Sequence, residues 1–175
     1  RIAEYILRKS KETGALKPGQ PIIEATSGNT GIAMAYYGRE AGHPVTIVMP
    51  ENMTEERKAL IRGFGAELIL CSVEGSFAEA ASIRDRLAEE RGWFNPDQFS
   101  NPYNVECHRT TTGAELVAQA GDRKIDAFVA GIGTGGTLIG IGEALRERFP
   151  DVHLAAVEPA ESAVLSGGQP GPHKI

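Results

Sequence analysis

The sequence predicts an α/β protein with parallel sheets and crossover helices. Two observations lead to this class. Short apolar, β-branched runs alternate with helical stretches of about a dozen residues, and glycine-rich loops separate two of the strands from the helices that follow. A strand, a helix and a second strand in succession typically form a right-handed parallel crossover. Hydrophobic residues make up 41% of the 175-residue chain, which is sufficient for a packed core.

The first half of the chain predicts one N-terminal helix followed by three strand–helix pairs. Apolar residues recur on one face from Ile2 to Thr13, and Gly14 ends that helix. The pattern then predicts a strand at Ile22-Ile23, a helix to about Ala41, a strand over 45–48, a helix capped by Thr54, a strand over 67–70 and a helix over 77–91.

The second half continues the alternation after an interruption. Segment 95–104 contains Pro96, Pro102 and three asparagines, so we expect the chain to pass between two lobes there. Beyond it the pattern predicts a helix over 106–119, a strand over 127–130, a helix over 137–148 and a strand over 154–157.

Composition excludes several classes of function. The net charge of -5 and the absence of a Lys/Arg stripe argue against nucleic-acid binding. Cys71 and Cys107 lack metal-ligand spacing, so we expect buried thiols in a reducing compartment and no metal site. His43, His153 and His173 are expected at the surface or at strand ends, and His108 within a helix. No signal peptide or membrane span is predicted, which favours a cytoplasmic protein.

A glycine-rich loop at 131–137 carries the first chemical signal. It reads Gly-Ile-Gly-Thr-Gly-Gly-Thr between a predicted strand and a predicted helix. Glycines allow backbone N–H groups to surround an anion, and the N-terminus of the helix adds a favourable dipole. The loop is therefore expected to bind a phosphate.

The kind of phosphate stays open at this point. Gly131, Gly133 and Gly136 match the dinucleotide fingerprint, and Glu158 follows at about the distance of a ribose-binding carboxylate, which indicates a nicotinamide-binding Rossmann oxidoreductase. That fingerprint, however, usually opens its domain, whereas here several strand–helix units come first. The hydroxyl groups of Thr134 and Thr137 also suit a terminal phosphate monoester.

A second polar loop occupies the junction between an earlier strand and helix. Thr26-Ser27-Gly28-Asn29-Thr30-Gly31 places hydroxyl and amide groups beside helix-terminal N–H groups. Such a combination suits a carboxylate, although Ser27 alone could equally be a helix cap.

The order and separation of these motifs resemble one enzyme family across nearly the whole chain. Six segments carry the resemblance: Thr26–Gly31, Gln98-Phe99-Ser100-Asn101-Pro102, Gly133–Thr137, Met49-Pro50-Glu51-Asn52-Met53, Thr111-Thr112-Gly113 and Pro170-Gly171-Pro172-His173-Lys174-Ile175. The chain resembles the cysteine synthases, or O-acetylserine sulfhydrylases, and the related cystathionine β-synthases. These are fold-type II pyridoxal-phosphate enzymes with a tryptophan-synthase-β-like fold.

The resemblance implies roles for individual residues. Cofactor-binding residues would be Asn29, at the 3′ oxygen of the pyridine ring, and the phosphate-binding residues Gly133, Thr134, Gly135, Gly136 and Thr137. Substrate-carboxylate residues would be Thr26, Ser27, Gly28, Thr30 and Gln98. Residues 1–103 would then form a small lobe that binds the substrate carboxylate, and residues 104–175 part of a large lobe that binds the phosphate of pyridoxal 5′-phosphate.

The resemblance also implies an activity and partners. The reaction would be β-replacement that forms L-cysteine from O-acetylserine and sulfide; a cystathionine β-synthase type of reaction or the use of O-phosphoserine stays open. A homodimer and an association with serine acetyltransferase are implied as well. The Schiff-base lysine of the family would fall just before Arg1, and a later serine after Ile175. The chain is therefore expected to be a central part of such an enzyme, incomplete at both ends and inactive alone.

Overall fold

The structure, a computed structural model, describes residues 1–26 and 28–171. The chain divides into two compact units, Arg1–Asn101 and Pro102–Ile175. The boundary lies inside the proline- and asparagine-rich segment 95–104. Both units alternate strands with helices and contain parallel sheets, so the predicted α/β class is confirmed.

The first unit contains three strands and four helices. In chain order they are α1 (Ile2–Glu12), β1 (Ile22–Ala25), α2 (Asn29–Glu40), β2 (Val45–Pro50), α3 (Glu55–Gly63), β3 (Glu67–Cys71) and α4 (Ser76–Arg91). The strands are parallel in the order β1-β2-β3. Every residue of β1 and β2 is buried, as expected for strands of a parallel sheet with helices on both faces.

Local sequence explains the helix ends in this unit. Thr54 caps α3 as predicted, because its side-chain oxygen accepts a hydrogen bond from the N–H of Arg57. Gly92 ends α4 in the left-handed conformation, at φ 63°. After that turn Phe94 pairs with the free edge of β1: its carbonyl accepts from Ile23 N–H at 2.9 Å.

The second unit contains a two-stranded parallel sheet with helices. Its elements are α5 (Pro102–Cys107), a π-helical segment (His108–Gly113), α6 (Ala114–Ala120), β4 (Ala127–Gly131), α7 (Gly136–Arg148), β5 (His153–Val157) and a short 3₁₀ turn (Ala160–Ser162). Ile141, Leu145 and Val152 form its small core, against which Leu116, Val117 and Phe128 pack.

Two expectations need correction. The helix predicted over 106–119 begins earlier, at Pro102, and is interrupted by the π-helical segment. Threonine hydroxyls at 110 and 111 donate to the carbonyls of Glu106 and Cys107 and so loosen the helical hydrogen bonding there. His43 lies two residues before β2, as the strand-end alternative expects, but it is buried and not at the surface; its Nδ1 lies 2.8 Å from the carbonyl oxygen of Gln20.

Candidate functional site

The predicted carboxylate loop lies between β1 and α2 in the first unit. Gly28 occupies the N-cap position of the twelve-residue helix α2, and its N–H donates to Thr26 Oγ1 at 3.2 Å. Asn29, the first helical residue, is exposed. A side chain added at Gly28 would meet nothing within 4 Å, so the loop leaves open space beside helix-terminal N–H groups. This local geometry suits an anion.

The second polar motif of this unit meets the first. Thr30 Oγ1 donates to Gln98 Oε1 at 2.7 Å, although the two residues are 68 positions apart in the chain. Gln98 is buried and Thr30 is half-buried. The structure thus brings together Thr26, Gly28, Thr30 and Gln98 of the predicted substrate-binding set. Ser27 belongs to the same set but lies outside the described residues.

A buried carboxylate accepts a hydrogen bond from the backbone of Gln98. Glu24 is fully buried in β1, where its Oε2 accepts the N–H of Gln98 at 3.3 Å and its Oε1 accepts the N–H of Ala25 at 3.0 Å. Burial raises the pKa of Glu24 to about 7, and the nearby Arg84 guanidinium opposes that rise. The sequence contained a signal for this residue, because Glu24 is a charged residue in an otherwise apolar strand.

Arg84 joins Glu24 to the loop that precedes Gln98. Its Nη1 lies 3.4 Å from both Glu24 Oε1 and Asp97 Oδ1, and its Nη2 lies 2.8 Å from Asp85 Oδ1. Asn95 completes the connection, since its side chain donates to Asp85 and accepts from Asp97 N–H. Sequence spacing gave no indication of this cluster, because its members come from β1, α4 and the following loop.

The predicted phosphate loop lies between β4 and α7 in the second unit. Gly135 is the N-cap of the thirteen-residue helix α7 and has a left-handed conformation, at φ 83°, that favours glycine. Thr134 Oγ1 accepts from Gly136 N–H at 3.3 Å. Side chains added at Gly131 or Gly133 would meet nothing within 4 Å, so these positions leave room for a group at the helix N-terminus.

Two residues of the preceding helical region contact this loop and were missed by the sequence analysis. Asn104 Nδ2 donates to Thr134 Oγ1 at 2.9 Å, and a side chain at Gly136 would collide with the Asn104 amide. His108 Nε2 lies 3.3 Å from Thr137 Oγ1, while its Nδ1 lies 3.1 Å from Thr112 Oγ1. The phosphate loop is therefore held by hydrogen bonds to both of its threonines.

Glu158 has a different role from the one that the dinucleotide hypothesis requires. Its carboxylate accepts the N–H groups of Leu165 at 2.8 Å and Ser166 at 2.9 Å, together with the Ser166 hydroxyl. These hydrogen bonds, the one from the hydroxyl first, lower the pKa of Glu158. The side chain closes the turn after β5, so its acceptor capacity serves the loop instead of a ribose.

Neither a metal cluster nor a membrane-spanning helix is found in the part of the chain that the structure describes, and a groove there contains none of the predicted site residues. Across residues 1–26 and 28–171, no group of three or more His, Cys, Asp or Glu could hold a metal ion. No helix within those residues is both long and apolar enough to cross a bilayer. A groove of about 620 Å³, lined by residues of the π-helical segment, α6 and α7, contains Val117 and Ala118 but none of the predicted site residues.

Comparison with known proteins decides between the two kinds of phosphate. The family model described as "Pyridoxal-phosphate dependent enzyme" matches residues 1–174. The chain belongs to this family. Neither the family match nor the hydrogen bonds of Glu158 to the turn after β5 support the nicotinamide hypothesis.

Individual relatives of this pyridoxal-phosphate family are also similar over the whole chain. Cysteine synthase from Staphylococcus aureus is 46% identical over 175 residues, which are 100% of this chain and 56% of the relative. A hydrogen sulfide-producing enzyme from Fusobacterium nucleatum has a TM-score of 0.95 at 45% identity, over 99% of this chain and 54% of its own. Cysteine synthase from Entamoeba histolytica has a TM-score of 0.91 at 40% identity, over 99% and 52% of the two chains. The chain thus spans about half the length of these relatives.

The loop at 131–137 fits the cofactor of this family. Its helix N-terminus, its two threonine hydroxyls and the open space at Gly131 and Gly133 suit the phosphate of pyridoxal phosphate. No acidic residue occurs between 131 and 137 that would repel the anion.

Proposed function

We propose that the protein containing this chain is a cysteine synthase that exchanges the acetoxy group of O-acetyl-L-serine for a sulfhydryl group. Sulfide adds to the β-carbon of the amino acid, and acetate is released. The observation that carries the proposal is the hydrogen bond between Thr30 and Gln98. It joins two distant motifs beside the N-terminus of α2, where a pocket for an amino-acid carboxylate is expected.

Each residue of the carboxylate loop has a proposed task. Thr26, Thr30 and Gln98, with Gly28 N–H and Ser27 from the sequence motif, bind and orient the substrate carboxylate by hydrogen bonds. Because a carboxylate accepts several N–H and O–H donors at once, the pocket discriminates an amino acid from an uncharged analogue. Fixing the carboxylate also fixes the β-carbon relative to the reacting groups.

The cofactor would be held by separate residues. Gly133, Thr134, Gly135, Gly136 and Thr137 would bind its phosphate, and Asn29 would donate to its ring oxygen. When bound, pyridoxal phosphate supplies an electron sink for chemistry at the α-carbon. We assign no proton-transferring residue within the chain.

Finer features of the proposal depend on the resemblance alone. They are a homodimeric assembly, an association with serine acetyltransferase and the division into a carboxylate-binding lobe, 1–103, and a phosphate-binding lobe, 104–175. A reducing, cytoplasmic location is supported by Cys71 and Cys107, which are buried and form no disulfide.

The test measures L-cysteine formation by the intact protein that contains this chain. The protein is loaded with pyridoxal phosphate and given sulfide with O-acetyl-L-serine, O-phospho-L-serine or L-serine in parallel. We expect the highest kcat/KM with O-acetyl-L-serine. Preference for O-phospho-L-serine would correct the substrate, and absence of cysteine from all three by a protein that binds the cofactor would contradict the proposal.

Variants connect the activity to the carboxylate loop. Thr30→Ala and Gln98→Ala each remove a hydrogen-bonding group expected at an anion, so each should lower kcat/KM by about 10- to 100-fold. Gln119→Ala removes an exposed side-chain amide from α6 and should leave kcat/KM unchanged. Equal activity of all three variants would exclude Thr30 and Gln98 from substrate binding.

A further inference from the structure

We propose that Glu24, with Arg84 and Asp97, positions Gln98 for the substrate carboxylate. This inference rests on the proposed function and adds three residues to it. None of the three is assigned to contact the substrate. They are positioning residues that act through the N–H of Gln98 and through the backbone of Asp97, the residue before it.

Glu24 supports Gln98 directly. The Gln98 N–H donates to Glu24 Oε2, while the Gln98 side chain accepts from Thr30 at its other end. Gln98 is therefore held both at its backbone and at its amide. Both acceptor oxygens of Glu24 are used by backbone N–H groups, so no neutral side chain of the same shape satisfies both.

Arg84 forms an ion pair with Asp97, the residue before Gln98. Arg84 Nη1 lies at hydrogen-bonding distance from both Glu24 and Asp97, and thus connects the strand with the loop. Arg84 and Glu24 are buried, which keeps their interaction from being screened by solvent. Asp85 lies on the other side of the Arg84 guanidinium, so three carboxylates surround one cation.

The same cluster holds an unusual backbone conformation at Asp97. Asp97 has φ 43°, in the left-handed region that non-glycine residues rarely adopt. Its N–H is satisfied by Asn95 and its carboxylate by Arg84, and its carbonyl accepts from Ser100 and Asn101. The unusual conformation directs the chain so that Gln98 turns inward next to Glu24. A charged cluster thus positions Gln98, which is proposed to bind the substrate carboxylate.

The test compares two ligands on the intact holoenzyme. L-serine has the carboxylate and L-serinamide lacks its charge, so the ratio of their dissociation constants reports on the carboxylate pocket. Isothermal titration calorimetry without sulfide at pH 8, above the pKa of Glu24, gives both constants on the same preparation, and their ratio does not depend on the folded fraction. For the wild type we expect L-serine to bind at least about tenfold more tightly.

The variants then separate positioning from a merely structural role. Glu24→Gln should reduce the serine-to-serinamide preference by about tenfold, because one N–H of the pair loses its acceptor. Asp97→Asn keeps a residue that tolerates positive φ and should reduce the preference by about threefold. In a Gln98→Ala background, Asp97→Asn should have no further effect on the ratio. Arg86→Gln, which removes an exposed ion pair of the same helix, is the control.

The outcomes distinguish the two proposals. A wild-type protein that does not prefer L-serine contradicts the proposed function, and this inference with it. A wild-type preference that is unchanged in Glu24→Gln and in Asp97→Asn overturns the positioning role alone. If Glu24→Gln yields no folded protein, the Asp97→Asn ratio and its dependence on Gln98 decide the matter. Weakening of both ligands by the same factor also overturns the inference.

Discussion

At the scale of single residues, Glu24 shows how burial controls a charge. The carboxylate is surrounded by protein on all sides in β1, and desolvation disfavours its ionised form more than Arg84 favours it. Its protonation therefore changes near neutral pH. An ordinary surface glutamate would be fully ionised under the same conditions.

This shift predicts a pH-dependent stability. The pKa of Glu24 is about 7 in the folded protein and 4.5 in an unfolded chain, so between these values the folded state binds more protons. The stabilisation that protonated Glu24 gives the folded state is fully present below pH 4.5 and is lost as the pH rises through 7. The free energy of unfolding should decrease by about 3 kcal/mol across this window.

The measurement is urea unfolding of the intact protein at several pH values, with Glu24→Gln as the matched variant. The variant lacks the titrating group, so the difference in unfolding free energy between the two proteins should depend on pH with the same sign and window. A difference that stays constant between pH 5 and pH 8 would contradict the raised pKa.

Two glycines of the phosphate loop should respond differently to alanine. Gly136→Ala should destabilise the protein by about 1–3 kcal/mol, because the added carbon would collide with the Asn104 amide. Gly133→Ala meets open space, so it should leave stability nearly unchanged and instead weaken cofactor binding. Thermal unfolding and absorbance titration with pyridoxal phosphate measure the two effects. Equal destabilisation by both variants would refute this distinction.

At the scale of elements, helices and strands with strong local signals were predicted closely. Ile2 to Glu12 and the cap at Thr54 follow from periodicity and from a hydroxyl at the right place. The π-helical segment was not predicted, because threonine back-bonding depends on packing as well as on sequence. Gly140 illustrates that packing, since the backbone of Val105 and Arg109 lies directly against it.

Helical glycines should consequently differ in their response to alanine. Gly140→Ala in α7 should destabilise the protein by about 1–3 kcal/mol, because the new carbon meets backbone atoms that cannot rotate away. Gly63→Ala in α3 meets nothing within 4 Å and should stabilise it by about 0.5 kcal/mol through helix propensity. Urea unfolding measures both, and a stabilised Gly140→Ala protein would contradict the close packing.

At the scale of the whole molecule, the class and the two loops could be predicted from sequence, since each loop is a contiguous motif. The long-range hydrogen bonds that hold the two loops could not be predicted. Glu24 and Gln98 are 74 positions apart, and Arg84 meets Glu24 and Asp97, the residue before Gln98, only after folding. Asn104 and Thr134 are likewise 30 positions apart. Contacts of this kind have no local pattern in one sequence.

The β4–β5 sheet exposes apolar side chains, whereas β1 and β2 do not, and this gives a prediction for the 175-residue chain. Val129 and Val157 lie on one face of the β4–β5 sheet and are 59% and 50% exposed, whereas β1 and β2 are buried. The chain should therefore bind an apolar fluorescent dye such as anilinonaphthalene sulfonate. The double variant Val129→Thr, Val157→Thr should reduce that fluorescence, and Val73→Thr in the first unit should not. Unchanged fluorescence in the double variant would locate the dye elsewhere.

The π-helical segment between α5 and α6 has a further consequence for insertions and deletions. A π-turn contains one residue more than an α-turn, so it sets the rotational phase between the helices on either side. Residues before it contact the phosphate loop and α7, while Leu116 and Val117 after it pack into the core. Removing one threonine from 110–112 would rotate α6 by about 100° relative to α5. The contact of α5 with the phosphate loop and the packing of α6 into the core could then no longer form at the same time.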